Sequence, residues 1–274
     1  MDSSQALTIY ESAQVTAITD WKKEEPSVLS KATGVVAAPL AWLVQKVIPE
    51  KAIQAVLEAA NWAGCQLADS GDIIRDGGVD QIAELRSKSL ELSDSLANEA
   101  HNWAIGMATV EGGAAGAFGL PGMAADIPAI VTLALRTVHK IGLCYGYESS
   151  TEEDKNFVLG ILSASGANSV EDKVEALLAL RSIQQILIKQ TWKKMSEKAA
   201  VQQMSKEGAI LGVRNVAKQL GINLTKRKAL QAIPLIGAGV GASMNAWYIK
   251  DVGWAARRVF QERWLSENSK VIEL

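Results

Sequence analysis

Little in this sequence does chemistry. Of its 274 residues only two are histidines and two are cysteines. Cys65 and Cys144 lie far apart, which makes no disulfide framework and suits a reducing compartment. A zinc site needs three or four converging ligands. His101 and His139 are the only imidazoles, there is no H-E-x-x-H, and Cys144 falls five residues past His139, a poor helical match for a shared metal. The patterns G-x-S-x-G, G-x-G-x-x-G and the P-loop are missing as well. No metal or cofactor is expected, and a non-catalytic role is the leading reading. Charge of one sign is also lacking. The 28 basic and 30 acidic residues nearly cancel at a net −2, so there is no clustered positive field to draw nucleic acid. The first residues show no basic start followed by an apolar run, which argues against a secretory or transit signal and for the cytoplasm. Alternating apolar and polar runs between turn pairs, the mark of strands, do not occur. Tyrosine and phenylalanine number four and three against eight tryptophans, so a core must come largely from Ala, Leu, Ile, Val and Gly.

What remains is helix. To about Glu25 the chain is mixed and polar, with Tyr10, Val15 and Trp21 available to pack a short helix. Val28 to Val47 is apolar and small, and Pro39 is expected to kink or split it. Pro49 opens a helix to about Asp69, whose Ile53, Val56, Leu57, Ala60 and Ala63 step by three or four. Ser70-Gly71-Asp72 and Asp76-Gly77-Gly78 are breaks, and a long helix is expected from Val79 to Val110. Ser149 to Glu153 reads as a capped start for a short helix closing at Gly166 and Asn168. Ser169 to Trp192 is the cleanest amphipathic segment; Val174, Leu177 and Leu178 line a stripe that Leu180, Ile183 and Leu187 extend. A further helix is expected from about Ala199 to Leu220. The fold class is therefore all-α: a single compact multi-helix domain over residues 1–274, with an N-terminal segment 1–25, a central stretch 111–147 and a C-terminal block 225–266.

Two glycine-rich apolar segments organise it. Glu111 to Leu135 carries glycines at 112, 113, 116, 119 and 122, and Ala229 to Ile249 holds no charge at all. Each has an apolar-Pro step, Leu120-Pro121 and Ile233-Pro234, and glycines four apart, Gly112/Gly116 and Gly237/Gly241. In a helix that spacing opens a groove where a second helix can lie at close range, so the two segments are expected to pack together. Close packing in a soluble core is one reading; membrane contact is the other, with a phosphate-cradling loop a distant third. Ala229 to Ile249 is just long enough to span a bilayer, but Gln231, Ser243 and Asn245 weaken it, and Asp126 burdens the other segment. A hairpin in one leaflet or a conditional insertion fits better than a fixed span. Lys226, Arg227 and Lys228, with Trp247, Trp254 and Trp264, would suit an interface, although the tryptophans could equally anchor the core.

Asp126 is placed to cap a helix running from Ile127 to Tyr147, with a buried ion pair as the alternative. Glu111 stands before Gly112-Gly113, where it would cap amides of a glycine turn. An enzyme would need Glu111, Asp126 and His101 or His139 to converge in one cleft. A closed cavity lined by Leu120, Met123, Ile127 and Val131 would instead mark a lipid- or small-molecule-binding protein.

The central stretch resembles the signature of the EcsC family of bacterial proteins at Glu111-Gly112-Gly113, Gly119-Leu120-Pro121, Asp126-Ile127-Pro128, Arg136 and Tyr145-Gly146-Tyr147. The segment from Ile233 to Phe260 is similar to that family's second block, and Pro49 and the Trp21 region fit its N-terminal part. The resemblance implies a helical cytoplasmic protein with Glu111, Gly112, Gly113, Pro121, Asp126, Arg136, Tyr145 and Gly146 as motif positions, and it carries over no catalytic residue. The family is named for a protein encoded with an ABC transporter, which implies transport or secretion machinery as a partner. The function expected is that of a membrane-associated accessory protein at the inner face of the cell membrane, meeting lipid or partner helices through the two glycine-rich segments and residues such as Lys226, Arg227, Lys228, Trp247 and Trp254. A soluble lipid-binding protein is the alternative, and a hydrolase the third choice.

Overall fold

The computed structural model describes residues 6–25, 50–117, 120–167, 170–195 and 237–268. The side chains of 111–128 fall outside that description, as do the segments expected at 28–47 and 199–220 and the basic trio at 226–228. All regular structure in the described residues is helical: α1 (Ile9–Lys23), α2 (Glu50–Leu67), α3 (Gly71–Gly77), a 3-10 turn (Ile82–Ser87), α4 (Leu90–Ala117), α5 (Leu120–Cys144), α6 (Glu152–Ser165), α7 (Val170–Met195) and α8 (Gly237–Glu267). They pack around one apolar core.

Local chemistry sets the boundaries. At the start of α1, the Thr8 hydroxyl accepts from Glu11 N–H at 3.1 Å and the Glu11 carboxylate accepts from Thr8 N–H at 2.7 Å. This reciprocal cap satisfies two orphan donors. Thr151 and Asp154 repeat it at α6, two residues along from the first hydroxyl expected there. The long helix expected from Val79 breaks instead at Lys88, because the Ser89 hydroxyl accepts from Leu92 N–H at 3.2 Å and restarts the chain as α4. Gly146, at φ 85°, supplies the left-handed residue that turns the chain out of α5.

Two expectations in the central stretch are corrected. Gly112-Gly113 is no turn: α4 runs through both glycines to Ala117, so Glu111 does not stand at a helix end. Asp126 is no N-cap: α5 begins at Leu120, with Pro121 in the first turn where its missing N–H costs nothing, and Asp126 lies in the helix body. A third correction concerns α7. Leu180, Ile183 and Leu187 are buried with Ala176, but Val174 and Leu178 are exposed, since the face that meets the core is the one through 176, 180, 183 and 187.

The spine is the antiparallel pair α4–α8. Asp94 meets Gln261 at 2.8 Å, Asn98 meets Arg257 at 3.0 Å and His101 meets the Lys250 carbonyl at 3.1 Å. Carried along both backbones, this register sets the Gly112–Gly116 end of α4 opposite the first turns of α8, where Gly237 and Gly241 lie. The two glycine-bearing helical segments thus pack together. α5 lies against α4, α2 and α8, α1 lies along α8, and α6 pairs with α7. Phe260 of α8 collects Tyr145, Tyr147 and Phe157 at ring distances of 6.2, 5.7 and 5.6 Å.

Candidate functional site

The outward face of α4 is apolar where a solvated helix would be charged. Trp103, Met107 and Val110 are 48%, 40% and 71% exposed. Their spacing of four and three residues sets them on one side of the helix, opposite the buried Ala97, His101, Ala104 and Ala108. Single exposed apolar residues are ordinary, but a contiguous row of large ones marks a contact surface. The Arg136 guanidinium lies 4.1 Å from the Trp103 ring centre, and its Nε donates to the Leu67 carbonyl at 3.0 Å. The family-motif arginine therefore ties the end of α2 to the indole on α4. Leu67, itself exposed, lengthens the patch, and Trp62 stands out to solvent on α2 as well.

Beneath the patch is a polar layer. Gly64 lets α2 rest on the backbone of Leu135 and Arg136, where an added Cβ would sit 2.7 Å from Arg136 N. That approach brings Asn61 to α5. His139 is only 3% exposed, yet both ring nitrogens are engaged: Nε2 with Asn61 Oδ1 and Nδ1 with Ser149 Oγ, each at 2.8 Å. Burial pulls the imidazole down to about 4, so it is neutral at physiological pH. The next residue, Lys140, reaches Asp72 at 2.5 Å and the Asp69 carbonyl. Burial of Asp72 opposes the effect, but the Lys140 hydrogen bond and charge hold its carboxyl below the ordinary range.

A second polar cluster sits on the α4–α8 spine. Asp94 is buried and accepts from Tyr10 at 2.7 Å, from Tyr145 and from Gln261 at 2.8 and 2.9 Å. Arg258 and Gln14 complete the layer: Arg258 donates to Gln14 at 3.0 Å and to Gln261 at 2.9 Å. Burial first, and the Asp94 carboxylate second, push both phenols above their usual range. This network, buried at Asp94, Tyr145 and Gln261, holds α1, α4, α8 and the residue just past α5 in register.

Of the motif positions, Arg136 and Tyr145 thus make definite contacts and Gly146 makes the turn. Glu111, Gly112, Gly113, Pro121 and Asp126 are placed on α4 and α5 by backbone alone. Trp254 is half-buried between Arg257 and Arg258, at 4.4 and 5.1 Å, and edge-on to His101 at 5.8 Å. Trp264 is in the core and Trp247 is half-buried. Among the described side chains, the tryptophans at the surface are therefore Trp62 and Trp103, which the sequence reading passed over, although the 103–107–110 spacing was visible. Val131 is buried; the other residues expected to line a cavity lie outside the described side chains. Among the described residues, no three His, Cys, Asp or Glu side chains gather as metal ligands.

Comparison with known families bears out the resemblance read from the central stretch. A model of the EcsC protein family matches residues 12–265. The chain belongs to the EcsC protein family. Among curated relatives, this EcsC-family chain is similar to the "Uncharacterized protein YdbA" of Bacillus subtilis (strain 168), 25% identical over 194 residues that make up 71% of this chain and 66% of that protein. It thus spans just under two thirds of that relative's length. No solved structure matches.

Proposed function

We propose that this EcsC-family protein docks peripherally on a lipid bilayer through the apolar stripe of α4. The observation that supports it most is the exposed row Trp103, Met107 and Val110, with the Arg136 cation stacked on the indole. Tryptophan and a neighbouring cation are the pairing that favours the headgroup boundary. The helical register continues the same face through Ala114 and Ala117 into the glycine-bearing end of α4. No helix among the described residues is long and apolar enough to cross a membrane, and a stripe along one side of α4 suits attachment to one surface. The free thiols Cys65 and Cys144 suit the inner, reducing face.

Flotation of the full chain with phosphatidylcholine and phosphatidylglycerol vesicles tests this reading. The wild type is expected to rise with the vesicles and to resist a salt wash. Removing two large apolar contacts forfeits roughly 3 kcal/mol, about a hundredfold in partitioning. The Trp103→Asp/Val110→Lys variant should therefore stay at the bottom of the gradient. Flotation of that variant at the wild-type level, or a wild type that never floats, contradicts the reading.

A further inference from the structure

The hydrogen-bond chain Asn61–His139–Ser149 has a direction that geometry settles. Asn61 Nδ2 donates to the Lys155 carbonyl at 3.3 Å, which turns its Oδ1 towards the imidazole. An amide oxygen can only accept, so His139 Nε2 carries the proton. Nδ1 is then a bare lone pair, and the Ser149 hydroxyl, 2.8 Å away, must donate to it. A serine whose proton is already directed at a neutral imidazole, itself oriented by a third group, is the arrangement of an activated oxygen nucleophile. The geometry points to Ser149 as the nucleophile and His139 as the general base of an acyl-transfer site for carboxylic esters, with Asn61 as its positioning residue.

The surroundings agree with that assignment. Ser149 sits on the link between α5 and α6, half-buried, between exposed Glu148 and Ser150, so its hydroxyl lies at the protein's edge and the buried His139 is reached from that side. Cys65, one turn beyond Asn61 on α2, contacts the Ser149 carbonyl at 3.9 Å and fixes the backbone of that residue. In the acylation step Ser149 Oγ bonds to the ester carbonyl carbon and its proton passes to His139 Nδ1. The bond to the alkoxy group then breaks, and that proton leaves with it as the alcohol. Water, deprotonated by the same nitrogen, attacks the acyl-serine and releases the carboxylic acid, restoring the hydroxyl. A base of low basicity suits esters with good leaving groups rather than amides.

The test uses the full chain with p-nitrophenyl acetate and a fluorophosphonate probe, read by intact mass and by peptide mapping. One adduct is expected, on Ser149, with the exposed neighbour Ser150 as an internal control. Ser149→Ala should abolish the adduct, Ser150→Ala should leave it, and Asn61→Leu should slow it by at least about a hundredfold. Asn61→Asp, which accepts the same Nε2 proton, should restore the rate. Imidazole nitrogen-15 shifts should show His139 protonated at Nε2, a readout that a merely structural clamp with the other tautomer would not give. No adduct on the wild type, or labelling of Ser149 no faster than of Ser150, overturns the assignment; both readings come from the unmodified chain, whatever the variants do to folding.

Discussion

The imidazole of His101 occupies the space that a side chain on residue 253 would need. A Cβ built on Gly253 would fall 2.1 Å from His101 Cδ2 and 2.2 Å from Nε2. The ring cannot swing aside freely, because Nε2 is bonded to the Lys250 carbonyl and the ring edge meets Trp254. Gly253→Ala should therefore destabilise the α4–α8 spine by about 3 kcal/mol. Urea unfolding measures it, and pairing the change with His101→Ala should recover at least about 1 kcal/mol, the coupling expected of side chains that compete for one space.

Acid should loosen the fold through the two histidines. Burial brings both His101 and His139 down to about 4 from an ordinary 6.5. A group held below its unfolded value binds its proton later in the folded chain, so the unfolded state takes up protons first. Stability is then full above about pH 6.5 and falls between about 6.5 and 4, by about 3 kcal/mol for each histidine. Thermal melts across that range check it. His139→Gln should remove part of the slope, and a slope unchanged in that variant would contradict the assignment.

Asp94 holds four elements through Tyr10, Tyr145 and Gln261. Asp94→Ala leaves those donors buried without their acceptor and should cost about 3 to 5 kcal/mol. Tyr145→Phe removes one of them and should cost about 1 to 2 kcal/mol. Denaturant midpoints for the two variants rank them directly.

Leu178 and Leu180 lie two residues apart on α7 and face opposite ways, one exposed and one in the core. Leu180→Ala should cost about 3 kcal/mol, whereas Leu178→Ala should stay within about 0.5 kcal/mol. Equal costs would mean that the helix is turned the other way.

The helical class, the capped start of α6 and the packing together of the glycine-bearing segments were legible in the sequence, because periodicity and glycine spacing are local signals; the turn at Gly146 was not, and the helix expected to reach Tyr147 ends at Cys144. What misled was glycine itself. Gly112-Gly113 reads as a break from propensity alone, yet α8 running alongside turns two small residues into helix body. Asp126-Ile127-Pro128 reads as a helix start, but α5 had already begun at Leu120. Asn61, Asp94 and Ser149 carry no motif; they matter only through partners 51 to 167 residues away, or ten residues away across a turn, that the fold brings in. The stripe at 103, 107 and 110 has a helical period, but that period alone does not tell a contact face from a core face, and only burial distinguishes the two.

Quenching of tryptophan fluorescence by vesicles of brominated phosphatidylcholine and phosphatidylglycerol tests the docking account most directly, because it reports which indole enters the headgroup region. The wild type should be quenched, and Trp103→Phe should lose a clear share of that quenching while Trp254→Phe keeps it. Quenching that survives Trp103→Phe undiminished, or no quenching of the wild type, would contradict the account.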